Sequence, residues 1–397
     1  MANSPARLKL ALRALGRLLQ AVVAVVLLAG LALAVFELTD PAPAPHSART
    51  DTWQLHRQTT LPTEIRGLTI QYFDGEHLWA NRYDEVWRSE GPDGDRWLPR
   101  GSLGAPDPSL ASALRHAAVG SRVARLVGRP HGIEGLLVLP TGTLLAARNG
   151  MLHRSPDGGA TWTEVLAVST PAHPHGLFRN WGADEGGRVW AADGRTLLRS
   201  DDDGASFAEA WKLPAETPGR IRFLRVDPFR GRPWVGLGGA GVALQLGYVD
   251  AIGELHPVGG DDPWIEVSDL VFTGGEVYLV NALPRGPTGL WRYSRVHGTV
   301  ERIGDLGGPV LDAALMRNET LVLATAAAGL GYADVQLWVR EIDGGLRQVG
   351  QFPTFGRRSD GEWGTLLFPA GAPLPDLRFT AERVGNVRRS LVVGALR

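Results

Sequence analysis

The side chains here that could do chemistry are chiefly arginine, histidine, the carboxylates and six tyrosines. It has no cysteine, and of its 41 Lys+Arg only Lys9 and Lys212 are lysines. A cysteine nucleophile, thiolate-bound zinc, disulfides and a P-loop are thereby excluded. There is no Gly-x-Ser-x-Gly elbow and no His-Glu-x-x-His. Gly236-Leu-Gly-Gly-Ala-Gly241 meets the dinucleotide glycine spacing, but the residues after it, Val242 to Tyr248, read as a strand, so the glycines read as a turn. Asp201-Asp202-Asp203-Gly204 lacks the glutamate that a twelve-residue calcium loop places at its end. His173 and His175, with His131, have metal-ligand chemistry, against the blander reading of solvated loop histidines. No metal or cofactor is expected.

The elements that must hold such residues are numerous and short. The 397 residues are 44% apolar and include 51 Gly, 27 Pro and 13 Trp, a composition of many turns and aromatic-rich strands rather than of disorder. With 41 Lys+Arg against 42 Asp+Glu, no broad basic face for nucleic acid is implied. The charge is uneven, however. Arg7, Lys9, Arg13 and Arg17 precede Leu18–Phe36, whose one polar member is Gln20. A helix of that length matches a hydrocarbon core of about 30 Å. The residues therefore predict a cytoplasmic segment 1–17, an uncleaved transmembrane signal-anchor helix at 18–36, a Pro/Ala-rich linker at 37–50, and residues 51–397 exported to the periplasmic or extracellular side. The competing reading is a cleaved signal peptide.

Beyond residue 50 the chain repeats itself. Leu152–Trp162 and Leu197–Phe207 align without a gap at an offset of 45, and Leu290-Trp-Arg-Tyr-Ser294 and Leu337-Trp-Val-Arg-Glu341 continue at intervals of 47. Each unit opens with an apolar strand, a turn and a second apolar strand, the size of a four-stranded propeller blade. Ser155-x-Asp157-x-Gly159-x-Thr161-Trp162 and Ser200-x-Asp202-x-Gly204-x-Ser206-Phe207 resemble the Asp-box of the BNR-repeat β-propellers. That sialidase-like superfamily includes sialidases, some endoglucanases, sortilin-type receptors and photosystem II assembly factors. Glu90–Trp97 is a degraded copy. These box residues are expected to be structural. The carboxylate accepts backbone N–H bonds, glycine takes a positive φ, and the aromatic ring plugs between sheets.

Units near residues 89, 155, 200, 247, 294, 341 and 388 predict an all-β fold, a seven-bladed β-propeller of four-stranded antiparallel blades preceded by the transmembrane helix. The last unit lacks its outer strand, and residues 51–61 are expected to supply it. Residues 104–132, with Asp107 as cap and Pro108 at the first helical position, predict a helical insertion.

The resemblance also separates two faces. In the family the box hairpins point away from the substrate pocket, which places the second-to-third strand turns and the connections between blades on the pocket side. Those segments supply the ligand-binding candidates Arg148, His175, Arg179, Asp193, Arg222, Trp264, Asn281 and Arg285, beside Asn81, Arg82, Asn149, His173, Arg195, Arg220 and Asp262. Guanidinium forks suit carboxylate or phosphate, and an indole can stack on a sugar. The function expected is a membrane-anchored exported propeller that binds a glycan or another envelope component without turning it over. The alternative is a glycoside hydrolase, sialidase-like or endoglucanase-like, with Asp84, Asp193, Asp261 and Asp262 as candidate acids. The sialidase variety lacks the Arg-Ile-Pro motif the resemblance calls for. A protein-binding scaffold is the third reading.

Overall fold

The computed structural model describes residues 53–57, 68–104 (except 95), 132–167 (except 149), 180–259 (except 240 and 241), 267–280 (except 268), 288–326, 334–352 (except 343), 364–382 and 390–396. They belong to one unit, Pro45–Ser109 with His131–Arg397. Among them there are strands and turns but no helix, and none long and apolar enough to cross a membrane. The expected transmembrane helix and the helical insertion lie outside the described residues.

Strand β1 is Trp53–Arg57. Sheet 1 holds β2 (Thr69–Phe73), β3 (Leu78–Arg82), β4 (Glu85–Ser89) and β5 (Trp97–Ser102). Sheet 2 holds β6 (Gly135–Val138), β7 (Leu144–Arg148), β8 (Met151–Ser155) and β9 (Thr163–Ala167). Sheet 3 holds β10 (Trp181–Ala183), β11 (Val189–Asp193), β12 (Thr196–Ser200) and β13 (Ala208–Lys212). Sheet 4 holds β14 (Arg220–Asp227), β15 (Arg232–Gly239), β16 (Val242–Val249) and β17 (Leu255–Val258). Sheet 5 holds β18 (Asp269–Phe272), β19 (Glu276–Val280), β20 (Gly289–Ser294) and β21 (Val300–Asp305). Sheet 6 holds β22 (Val310–Leu315), β23 (Leu321–Ala326), β24 (Val335–Arg340) and β25 (Leu346–Phe352). The rest is β26 (Thr365–Leu367), β27 (Ala370–Gly371), β28 (Leu377–Glu382) and β29 (Ser390–Leu396).

The architecture is a β-propeller, but the expectation of seven four-stranded blades does not hold. Six sheets are four-stranded and antiparallel, namely sheets 2 to 6 and a closing sheet in the order β1-β29-β28-β26. Sheet 1 departs from that pattern with five strands, because β27 joins β2 in parallel, Tyr72 opposite Ala370 and Phe73 opposite Gly371. The cause is the connection between β26 and β28. Instead of turning tightly, it runs along two neighbours, with Ala372 N donating to Phe73 O at 2.9 Å and Leu374 N to Leu315 O at 3.0 Å. Gly371 permits the approach: its φ is +102°, and a Cβ there would sit 2.3 Å from Phe73 O. In the closing sheet β1 pairs antiparallel with β29, from Trp53 opposite Leu396 to Arg57 opposite Val392. The two ends of the chain thus share one sheet, and no edge stays open there.

The second strand of each sheet is largely buried on both faces, as in Leu321–Ala326, where all six residues are buried. It must be, because each face meets a different neighbour. The core lies between sheets rather than within one. Leu144 and Leu136 pack with Trp79 and Val86 across sheets 1 and 2, and Trp234 and Phe223 pack with Leu270 and Val277 across sheets 4 and 5. Outer strands are exposed and carry charge, as in Thr163–Ala167 and Ala208–Lys212. Gly236, expected in a turn, lies within β15, where a Cβ would come 2.1 Å from the Phe223 ring. The glycine spacing there makes room for an aromatic ring, not for a phosphate.

Candidate functional site

Antiparallel alternation gives each sheet two ends. The first-to-second and third-to-fourth strand turns share the lower face; the second-to-third turns and the connections between sheets share the upper. The first strands adjoin one another around the ring and line its axis.

The two Ser-x-Asp hairpins join β8 to β9 and β12 to β13, on the lower face. Ser155 Oγ donates to Asp157 Oδ1 at 2.7 Å and accepts from Gly159 N at 2.7 Å. Asp157 then accepts Thr161 N at 2.9 Å and Thr161 Oγ1 at 2.6 Å, while Trp162 Nε1 donates to Gly159 O at 3.0 Å. The second hairpin repeats the network: Ser200 Oγ donates to Asp202 Oδ1 at 2.6 Å, and Ser206 N and Oγ donate to Asp202 at 2.9 and 2.6 Å. Bonds from Thr161 and Ser155 hold the Asp157 carboxyl down at about 2, and those from Ser200 and Ser206 hold Asp202 well below the usual carboxylate range. With both oxygens engaged, neither aspartate is placed for catalysis or for calcium. The degraded copy keeps one element: Trp97 Nε1 donates to Gly94 O at 2.8 Å.

Arginines tie this face together between sheets. Arg154 Nε donates to Asp203 O at 2.8 Å, Arg378 bonds Asp93, and Arg295 forms a buried two-pronged pair with Asp227. Asp250, at the box position of sheet 4, accepts Ile252 N, Glu254 N and His256 Nε2, the last at 2.7 Å. His256 first, then the Glu254 amide, lowers its pKa. Asp250, Glu254 and His256 together have the donor set of a metal site, yet Asp250 already serves to close its turn.

On the upper face the structure uses several predicted residues as scaffold. Arg148 ends β7 and pairs at 3.2 Å with Asp84, largely buried in the turn after β3. Their pairing over a sequence separation of 64 left no local signal. His153, behind them on β8, has its pKa lowered by burial and by the Arg148 cation, against the opposing pull of Glu164. Arg195 donates to Gly219 O at 2.6 Å and Thr217 O at 2.9 Å, pinning the connection to sheet 4. Asn81 is buried, bonded to Gln71 and to the Tyr83 and Ile133 carbonyls. Arg82 pairs with Glu85 and lies 5.1 Å over Trp87.

Three predicted residues are different. Asp193 stands exposed at the end of β11, and Arg220 and Arg222 stand exposed at the upper end of β14, the axis-lining strand of sheet 4. Arg222 lies at a bulge between Ile221 and Phe223, which are both buried. None of the three forms an ion pair or side-chain hydrogen bond among the described residues. Two guanidinium groups exposed at the upper end of β14, without a partner among the described residues, can fork onto a carboxylate, sulfate or phosphate. His175, Arg179, Trp264, Asn281 and Arg285, with Asn149, His173, Asp261 and Asp262, lie outside the described residues.

No protein-family model matches this chain, and no curated protein matches it. Among solved structures it is similar to YCF48 bound to D1 peptide, with 14% identity over 87% of this chain and 95% of that one, TM-score 0.50. It is also similar to virginiamycin B lyase from Staphylococcus aureus. A catalytically inactive form with quinupristin shares 11% identity over 87% of this chain and 99% of that one, TM-score 0.53. A selenomethionine-substituted form gives 12%, 87%, 100% and 0.52. At such identities the likeness establishes a β-propeller and nothing about its site.

Proposed function

We propose that this chain is a membrane-anchored, exported propeller of the BNR/Asp-box type whose upper face binds the anionic group of a glycan or another envelope component without turning it over. The observation that carries this reading is the pair Arg220 and Arg222, exposed at the upper end of β14 and unpaired among the described residues, whereas Arg148, Arg195 and Arg295 are committed to the scaffold. The segment 18–36 anchors the chain, and the four cations before it keep residues 1–17 inside.

The hydrolase reading is less well supported. Acid and base carboxyls must face each other across about 5–10 Å; Asp84 is instead consumed by Arg148, and Asp193 is the one other acid candidate among the described residues. A protein partner stays compatible, since propellers of this size have been solved with a peptide and with quinupristin.

The test is a glycan array and a peptide array probed with the full-length protein in detergent, followed by affinities for any binder. Arg222→Ala should weaken a true ligand about tenfold or more, as expected for a lost charge-assisted bond. A binder whose affinity is unchanged by Arg220→Ala and Arg222→Ala overturns the site, and turnover of a bound glycan overturns the non-catalytic reading.

A further inference from the structure

The third-to-fourth strand turns of sheets 2, 3 and 4 repeat one backbone device with different side chains. Asp157, Asp202 and Asp250 each accept, through Oδ1, the backbone N–H four residues on, from Thr161, Ser206 and Glu254, at 2.9 Å in all three. What reaches the other carboxylate oxygen differs. In sheets 2 and 3, Oδ2 accepts the Thr161 and Ser206 hydroxyls at 2.6 Å. In sheet 4 that place belongs to Glu254, whose carboxylate accepts rather than donates, and Asp250 Oδ2 meets His256 Nε2 at 2.7 Å instead. The serine two residues ahead of the aspartate, Ser155 or Ser200, is replaced by Tyr248. The hydroxyl donors of the boxes have thus given way to a second carboxylate and an imidazole.

The three side chains converge. One ligand atom from each of Asp250, Glu254 and His256 lies within 4.8 Å of the others. His256 is held from the core: it stands opposite Tyr248 across β16 and β17, the two rings stack at 4.9 Å and 17°, and Tyr248 leans on the buried Trp234 at 5.4 Å. Asp250 is held by its own turn, where Oδ1 also accepts Ile252 N at 3.0 Å. Because Oδ1 closes the turn, Oδ2 can exchange the imidazole for another partner without opening it. Glu254 is exposed, so its side chain can swing in.

We propose that Asp250 Oδ2, Glu254 and His256 Nε2 bind a divalent transition-metal ion that clasps the lower turn of sheet 4. Ligands about 2.1 Å from an ion and about 90–110° apart are about 3.0–3.4 Å from each other. Oδ2 and Nε2 therefore need to part by less than about 1 Å. One imidazole with two carboxylates suits zinc or another first-row transition ion, whereas calcium takes about six to eight oxygens and magnesium likewise prefers oxygen. The ion offsets the closeness of two like charges, and three protein ligands leave a position for water or for an oxygen of a second ligand. The imidazole binds as the neutral ring, with its proton on Nδ1.

The test uses tag-free full-length protein in detergent, stripped with EDTA and titrated with Zn²⁺. One ion per chain should bind and raise the melting temperature as its concentration rises, and Ca²⁺ at the same concentration should give no shift. Glu254→Gln keeps the backbone N–H and the bond between Asp250 and His256, so it should melt as wild type without metal yet bind Zn²⁺ at least about tenfold more weakly, the loss seen when even an outer partner of a metal site is removed. His256→Ala should weaken binding further. The chain has ten histidines, so His173→Ala with His175→Ala is the control and should leave binding unchanged. Zn²⁺ bound equally by wild type, Glu254→Gln and His256→Ala is held elsewhere and overturns the proposal. So does the absence of binding, and so does Ca²⁺ matching Zn²⁺. Should His256→Ala melt early without metal, Glu254→Gln decides.

Discussion

Sheets 2 to 4 close their lower hairpins in one way and sheets 5 and 6 in another. In the first group closure is local: a serine, an aspartate and a threonine or serine satisfy the turn within seven residues, Ser155 to Thr161 and Ser200 to Ser206, and Asp250 holds Ile252, Glu254 and His256 in the same span. In the second group the work passes to partners far away in sequence. Arg295 leaves the turn of sheet 5 for Asp227 in sheet 4, and Arg340 of sheet 6 donates to the Tyr278 hydroxyl of sheet 5 at 2.5 Å. Burial and the bond to Glu276 push that phenol up to about 12, so it stays a neutral donor at physiological pH. A turn that holds itself draws its stability from residues beside it in sequence; a turn held from outside draws it from the neighbouring sheet.

The sharpest way to break that contrast is at Asp227. Its removal strands the Arg295 guanidinium, which is 3% exposed, and Asp227→Ala should cost about 3–5 kcal/mol in denaturant unfolding. A loss under about 1 kcal/mol would mean the long-range pair is incidental. Gly204→Ala against Gly298→Ala comes next. Both glycines have positive φ, +76° and +67°, and each substitution incurs about 1–2 kcal/mol of backbone strain. At Gly204 the new Cβ also meets Leu145 Cδ2 at 2.8 Å in the packed core, whereas at Gly298 it meets nothing within 4 Å. The boxed turn should therefore be the more sensitive by about 1 kcal/mol or more.

A pH series sharpens the comparison further. The Asp157 carboxyl is depressed from an ordinary 3.8 to about 2, and Asp202 is depressed as well. A depressed carboxyl contributes stability that is complete above its unfolded value and disappears as pH falls through its folded value. The wild-type melting temperature should thus drop between about pH 4 and pH 2. In Asp157→Ala with Asp202→Ala it should start lower at neutral pH and decline less across that window. Parallel curves would show that the boxes store no such stability. The smallest effect is expected at the aliphatic tips: Ile252→Asp and Val296→Asp should stay within about 0.5 kcal/mol of wild type, because neither side chain is in the core.

Much of this was legible in the residues, because a repeat announces itself locally. The offset between Ser155 and Ser200 marks equivalent hairpins, and the Trp-led segment at 53–57, without a unit of its own, is the strand found beside 390–396. What escaped is non-local. The pairing of Ala370 and Gly371 with β2, which gives sheet 1 its fifth strand, spans about three-quarters of the chain, and Gly371 looks like any turn glycine in a Pro-rich stretch. Arg148, Arg195 and Arg222 are indistinguishable as letters, yet the first two are tied to Asp84 and to loop carbonyls while the third is exposed on a bulge. Periodicity reports where a side chain sits along a strand. It does not report which neighbouring sheet supplies its partner.

The central claim is that the lower face holds the ring together while the upper face binds. One paired measurement addresses it: melting temperature, and affinity below the melting range, for Asp157→Ala and Arg222→Ala with the same anionic ligand. The account predicts that Asp157→Ala melts earlier with affinity unchanged, and that Arg222→Ala melts normally with affinity reduced about tenfold. An Arg222→Ala protein that melts early and binds normally, or an Asp157→Ala protein that melts normally and binds poorly, would contradict it.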